Sequence, residues 1–278
     1  MSHIEFTFQT KNNEEAELII ALLSEINFDG FQENEMELKA YIKEPDFNKS
    51  LFDEVAKTNQ LTYTQSYIKE ENWNAKWESE FEPITVFHAE TKQPFAFVRA
   101  NFHEKNNAVN YDLLITPKMS FGTGHHATTL QMMEQMSVID FNNKKVIDFG
   151  TGTGLLAILA EKLGAQIIEA IDYDDWSINN TIENVEANDC KKIKIVKADS
   201  CISSIGEVDI LLANINLNVI VDNIDKIRKA SKPGAIVLFS GILINDKESI
   251  SQTLMSSKFS IIKMEHQSNW LIIKTILQ

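Results

Sequence analysis

The sequence predicts an α/β protein: a doubly wound, mostly parallel seven-stranded sheet in the larger C-terminal part, preceded by a smaller ferredoxin-like α+β domain. Three observations carry this expectation. From residue 144 onward, short Val- and Ile-rich runs alternate with helix-length runs, as in βα units wound about a parallel sheet. Residues 1–70 instead read βαββαβ. The chain has 278 residues, more than the usual single domain of about 100–200.

In the first domain, "HIEFTFQT" has strand character, and "NNEEAELIIALLSEI" sets Leu18, Ile19, Leu22, Leu23 and Ile26 on one helical stripe. "FDGFQENEMELKAYIKE" reads as a hairpin whose second arm alternates Met36, Leu38, Ala40 and Ile42. "FNKSLFDEVAKT" and "LTYTQSYIKE" supply the second helix and last strand. Residues 71–115 form a linker helix and bridging strands, with Trp73 and Trp77 one helical turn apart as packing residues and Pro83 and Pro94 interrupting the stretch after them. Residues 116–278 are the large domain. "TTLQMMEQM" is a helix whose Met132, Met133 and Met136 face the core. Strands "KVIDFG", "IIEAID", "IKIVKA", "VDILLA" and "AIVLFS" then alternate with helices "GLLAILAEKLG", "DWSINNTIENVEAND" and "NLNVIVDNIDKIRKAS". The tail "FSIIKMEHQSNWLIIKTIL" adds two strands across a short polar turn, so one of them runs antiparallel.

Composition narrows the function. A formal net charge of −14 argues against nucleic acid as the partner and favours a small molecule or a basic protein. Residues 1–70 hold 14 Asp and Glu against 6 Lys and no Arg, a surface suited to cations. No run of about 18 apolar residues occurs, and "MSHIEFTFQT" lacks the basic and apolar regions of a signal peptide. The expectation is a cytoplasmic, monomeric protein with no membrane partner. Cys190 and Cys201 show neither metal-binding nor redox spacing and read as unpaired thiols.

"VIDFGTGTGLLAILAEKLGA" is a strand, a glycine loop and a helix. Gly150, Gly152 and Gly154 permit positive φ and close approach to a ligand, and the helix amides behind them favour negative groups. A dinucleotide loop wants Gly or Ala where Leu155 stands, which speaks against a nicotinamide-dependent oxidoreductase; no Walker pattern is present either. Asp172, ending the next strand, is placed to accept both hydroxyls of a ribose, the competing role being a helix cap. Asp148, just ahead of the glycines, either supports the loop or meets an ammonium group of the ligand. The tandem His125-His126 is no metal pair, because adjacent side chains diverge and no third ligand lies at helical spacing; His125 and Thr128 are read as holding the turn into the helix.

Asp-x-Gly-x-Gly-x-Gly with an acid one strand later resembles the S-adenosyl-L-methionine site of Rossmann-like class I methyltransferases. "LLITPKMSFGTGHHATT", followed by the glycine loop, "LLANIN", "SGIL" and a late "NW", is similar to the ribosomal protein L11 methyltransferases over most of the chain. The resemblance implies that Thr129, Gly150, Asp172 and Asn214 contact S-adenosyl-L-methionine, with Gly152 in the same loop, and that Phe121 closes over the methyl donor. It implies methylation of lysine side chains, or the terminal amine, of the basic ribosomal protein L11. It names no general base and no metal. Ser120 and Lys118 replace a usual alanine and glycine, Asp175-Trp176 stands where a proline is common, and the two prolines that often follow such an Asn214 are missing. The alternatives are a class I methyltransferase acting on another protein or small amine, and a binding module that has lost transfer.

Overall fold

The structure, a computed structural model, describes residues 3–34, 36–68, 81–116, 118 and 122–278. The chain divides into two compact units, residues 1–76 and 77–278.

In the first unit β1 (His3–Gln9), α1 (Asn13–Ser24), β2 (Gly30–Asn34), β3 (Glu37–Lys43), α2 (Lys49–Thr58) and β4 (Tyr63–Ile68) follow the expected order. The four strands form one sheet in the order β2-β3-β1-β4, antiparallel throughout, which is the ferredoxin-like arrangement. Alternation explains the register: Ile4, Phe6 and Phe8 from β1 and Leu38, Ala40 and Ile42 from β3 all face one core, closed by Phe28 and Phe52. Two expectations need correction. Met36 lies in the β2–β3 turn and is 63% exposed, because the alternation begins only at Leu38. Leu18 is 57% exposed, because the buried stripe of α1 runs Ala16, Ile19, Leu23, about 100° round the helix from it.

The second unit opens with a small sheet, β5 (Ile84–Phe87), β6 (Pro94–Arg99) and β7 (Tyr111–Leu114), pinned by the half-buried Arg99, whose Nε and Nη2 both donate to Asp112. Trp73 and Trp77 lie outside the described residues. Then come α3 (Ala127–Met136), β8 (Lys145–Phe149), α4 (Leu155–Lys162), β9 (Ile167–Asp172), α5 (Asp175–Ala187), β10 (Ile193–Lys197), β11 (Val208–Asn214), α6 (Leu217–Ala230), β12 (Ser231–Leu243), α7 (Lys247–Ser256), β13 (Phe259–Gln267) and β14 (Trp270–Leu277). Seven strands pair in the order β10-β9-β8-β11-β12-β14-β13. All neighbours are parallel except β14, which runs antiparallel between β12 and β13. β8 and β11 sit side by side although they are not consecutive, so the strand order reverses between them. A crevice opens at such a reversal, beyond the carboxyl ends of the strands.

The sheet is covered on both faces. Met132, Met133 and Met136 from α3 and the apolar residues of α4 pack with Val146, Ile168, Ala170 and Leu212. Ile220 and Ile227 from α6 and Ile250 and Leu254 from α7 pack with Ile147, Leu211, Val237 and Phe239. Strands buried on two faces read as continuous apolar runs, which is why β8, β11 and β12 stood out in the sequence.

Candidate active site

At the β8/β11 reversal lies a cavity of about 470 Å3 lined, among others, by His126, Gly150, Gly152, Asp172, Asn214 and Trp270. Its floor is the loop after β8. Gly150, Gly152 and Gly154 all adopt positive φ, at +76°, +57° and +79°. At Gly150 the need is also steric: a Cβ there would stand 2.2 Å from Ile215 Cγ2. The loop hangs from the neighbouring strand, with the amides of Gly150 and Thr151 donating to the Ile171 carbonyl at 2.8 and 3.0 Å.

Asp172 ends β9 on the cavity wall. Its Oδ2 accepts the Gly152 amide at 2.9 Å and its Oδ1 the Asp174 amide at 3.1 Å. The carboxylate is thereby held by two backbone donors while its remaining lone pairs stay available to a ligand hydroxyl. The cap of α5 is a different residue: Asp174 Oδ2 accepts the Ser177 amide at 2.9 Å.

Asp148 lies beneath the loop, fully buried. Its Oδ2 accepts from Thr151 Oγ1 at 2.6 Å and from the Ala157 amide at 3.1 Å, tying the loop to the first turn of α4. Burial pushes its carboxyl up to about 7, against the lowering effect of these two bonds, with Asp172 adding repulsion. Its Oδ1 has no partner among the described residues.

Asn214 ends β11. Its Nδ2 donates to Thr129 Oγ1 at 3.2 Å, while its buried Oδ1 has no partner among the described residues. The donor assignment leaves that oxygen as an acceptor at the wall of the cavity. Thr129 itself is buried on α3 and orients Asn214 from behind. Phe121 lies outside the described residues, although its neighbour Gly122 does not: the Gly122 carbonyl accepts from Thr153 Oγ1 at 2.7 Å. The first Phe-Gly-Thr-Gly segment is therefore tied to the glycine loop one residue past the second.

The reading of His125 needs correction. His126, not His125, precedes α3 as its cap, with Nδ1 2.8 Å from Thr128 Oγ1, and its ring meets Trp270 edge-on at 4.9 Å. His125 turns to Phe81 at 4.6 Å, and burial lowers its pKa. The two rings diverge, as adjacent side chains do. Among the described residues no group of three His, Cys, Asp or Glu is placed to hold a metal.

Several lining residues escaped sequence reasoning: Asp199 beyond β10, Asn216 and Val219 at the start of α6, and Tyr173 after Asp172. The rule that ligands collect beyond the carboxyl ends of parallel strands would have found Asp199. Leu155, which disfavoured a dinucleotide, is the first residue of α4 and is buried.

The set fits an adenosyl sulfonium ligand on the structure's own terms: a glycine cradle that a Cβ would fill, a fixed carboxylate for a ribose, and an unpaired buried amide oxygen. A profile of the family described as ribosomal protein L11 methyltransferase (PrmA) matches residues 6–277. The chain is 36% identical to the ribosomal protein L11 methyltransferase of Chlorobaculum tepidum, across 97% of this chain and 95% of that one. It is 32% identical to that of Bacteroides fragilis over the whole of both. The crystal structure of ribosomal protein L11 methylase from Lactobacillus delbrueckii subsp. bulgaricus superposes with a TM-score of 0.60 at 25% identity, covering 70% of this chain and 100% of that one. With a match running almost end to end, the chain belongs to the ribosomal protein L11 methyltransferase family.

Proposed function

We propose that the protein transfers methyl groups from S-adenosyl-L-methionine to amino groups of ribosomal protein L11, lysine side chains first among them. The observation that carries this reading is Asp172, clamped by two backbone amides at the rim of a glycine-floored cavity, in a chain of this family. Bound there, the cofactor supplies a methyl group already activated by its sulfonium. Gly150 and Gly152 let the backbone approach it, Asp172 takes the ribose hydroxyls, and Asn214 Oδ1 accepts an N–H of the ligand. Asp148 and Thr129 act indirectly, the first by holding the loop and the second by orienting Asn214. Phe121 is proposed as the residue that closes the cavity.

What remains for the enzyme is to hold a neutral amine in line. A lysine has an ordinary pKa near 10.4, so an apolar approach that strips water from the ammonium favours the neutral form, and the proton leaves to solvent. No general base is assigned. The acidic N-terminal unit is proposed to recognise the basic substrate.

Labelled S-adenosyl-L-methionine incubated with isolated large-subunit ribosomal proteins should mark L11, with mass analysis locating the amines. An unlabelled L11 would overturn the substrate. Asp172→Ala should weaken cofactor binding about 10- to 100-fold by calorimetry, the worth of hydrogen bonds to a charged group; unchanged affinity would remove its ribose role.

A further inference from the structure

Beyond Trp270 lies a second cavity, of about 510 Å3, lined by Gln131, Glu134 and Gln135 of α3 with Glu265, His266, Gln267 and Ile272 of the β13–β14 hairpin. Nothing in the proposed transfer uses it. The α3 residues stand at i, i+3 and i+4, hence on one face of the helix. Gln131 and Gln135 are each 5% exposed. Their amide nitrogens are engaged, Gln131 Nε2 with the Trp270 carbonyl at 3.4 Å and Gln135 Nε2 with Glu265 Oε2 at 2.9 Å. Their oxygens have no partner among the described residues. An unpaired buried acceptor is costly, and two of them stand one helical turn apart beside a cavity. Between them on the sequence is Glu134, half buried, its carboxyl held above the ordinary range by burial and by Glu265 and drawn back by Lys92. Glu265 is already paired with Lys263 at 2.9 Å.

The cavity thus has one partly desolvated carboxylate in its lining and two amide oxygens buried just behind it. A primary ammonium has three N–H donors and no acceptor, and matches that set one for one. We propose that this cavity binds a lysine ammonium of the protein substrate, a second lysine that anchors the chain while the target amine enters the catalytic cavity. This rests on the methyl-transfer reading above. Neither glutamine oxygen carries accessible surface as the cavity stands, so occupancy requires a small turn of each carboxamide about its last torsion, which is broad for glutamine.

The placement sets the register. Trp270 lines the catalytic cavity, and its carbonyl holds Gln131 at the edge of the second one. Thr129, which orients Asn214, and Gln135 are six residues apart on α3, about 9 Å at 1.5 Å per residue. An extended substrate advances about 3.3 Å per residue. The anchoring lysine therefore lies about three residues from the methylated one.

The test is a double-mutant cycle on the full-length enzyme with L11. Glu134→Gln should raise KM for L11 about tenfold, the greater part of the loss falling in KM rather than kcat, and leave the dissociation constant of S-adenosyl-L-methionine unchanged. Replacing the L11 lysine nearest three residues from a methylated one by glutamine should do the same, and the two changes together should cost no more than either alone. Strictly additive effects, or an unmoved KM in Glu134→Gln, would overturn the anchor while wild-type methylation of L11 still stood. Failure of the wild-type enzyme to methylate L11 at all would instead sink the reading on which the anchor rests.

Discussion

Gly150 shows how a single missing carbon can make a site. Its φ of +76° alone would cost an alanine about 1–2 kcal/mol, but the added Cβ would also run into Ile215 Cγ2 at 2.2 Å, on a residue that itself lines the cavity. Gly234 separates the two effects, since its φ is +82° and a Cβ there would meet none of the described residues within 4 Å. Gly234→Ala should show only the conformational cost, whereas Gly150→Ala should lose more stability and also cofactor affinity; equal melting temperatures for the two would refute the clash. Asp148 makes a second residue-scale prediction. Its carboxyl is raised from 3.8 to about 7 by burial, so between those values the native state keeps a proton that the unfolded chain has released. Its contribution to stability is therefore greatest below pH 3.8, declines as pH rises, and is flat above about 7. Asp148→Asn removes this titration, and its oxygen can still accept from Thr151 and Ala157. The fall in unfolding free energy between pH 5 and pH 8 should be smaller in the variant than in the wild type; identical falls would place the Asp148 proton elsewhere.

At the scale of elements, the first glycine segment is joined to the loop that follows the second by a hydrogen bond from Thr153 Oγ1 to the Gly122 carbonyl. Thr153 is fully buried, so valine would keep the shape and leave that carbonyl without its donor. Thr153→Val should cost about 1–3 kcal/mol and raise proteolysis between residues 122 and 126; protection unchanged from the wild type would mean that the bond holds nothing. Both segments were readable in the sequence, the second from strand, glycines and helix, the first from its likeness to a family block. Their contact was not, because it joins a side chain to a backbone carbonyl 31 residues away. The same limit governs the rest. α7 passed unread because only Ile250 and Leu254 of its ten residues are buried, too few to show a period. His126 and His125 were exchanged because one residue at a helix start turns a side chain through about 100°, which no spacing rule resolves. The strands of the large sheet were legible because burial on both faces writes an unbroken apolar run.

Over the whole molecule the net charge of −14 is the property that no single contact explains. Forty acidic residues oppose 26 basic ones, and the first 70 positions hold 14 acidic residues against 6 lysines. Among the described residues few of these charges are held in buried pairs: Arg99–Asp112 is largely buried, whereas ion pairs such as Lys49–Asp53 and Lys191–Asp189 lie in solvent, where each contributes little. The remaining field is free to act on something outside, and a basic protein substrate is what it would attract. Such attraction is screened by salt, the Debye length shrinking from about 10 Å at 0.1 M to about 3 Å at 1 M. Binding of the cofactor depends instead on short contacts inside the cavity, which are screened far less. Between 0.05 and 0.5 M salt, KM for L11 should therefore rise about tenfold while the dissociation constant for S-adenosyl-L-methionine moves less than about twofold. A KM that stays level would assign the acidic surface to solubility alone; a cofactor affinity that fell in step would mean that salt acts on the catalytic unit and not on the encounter with substrate.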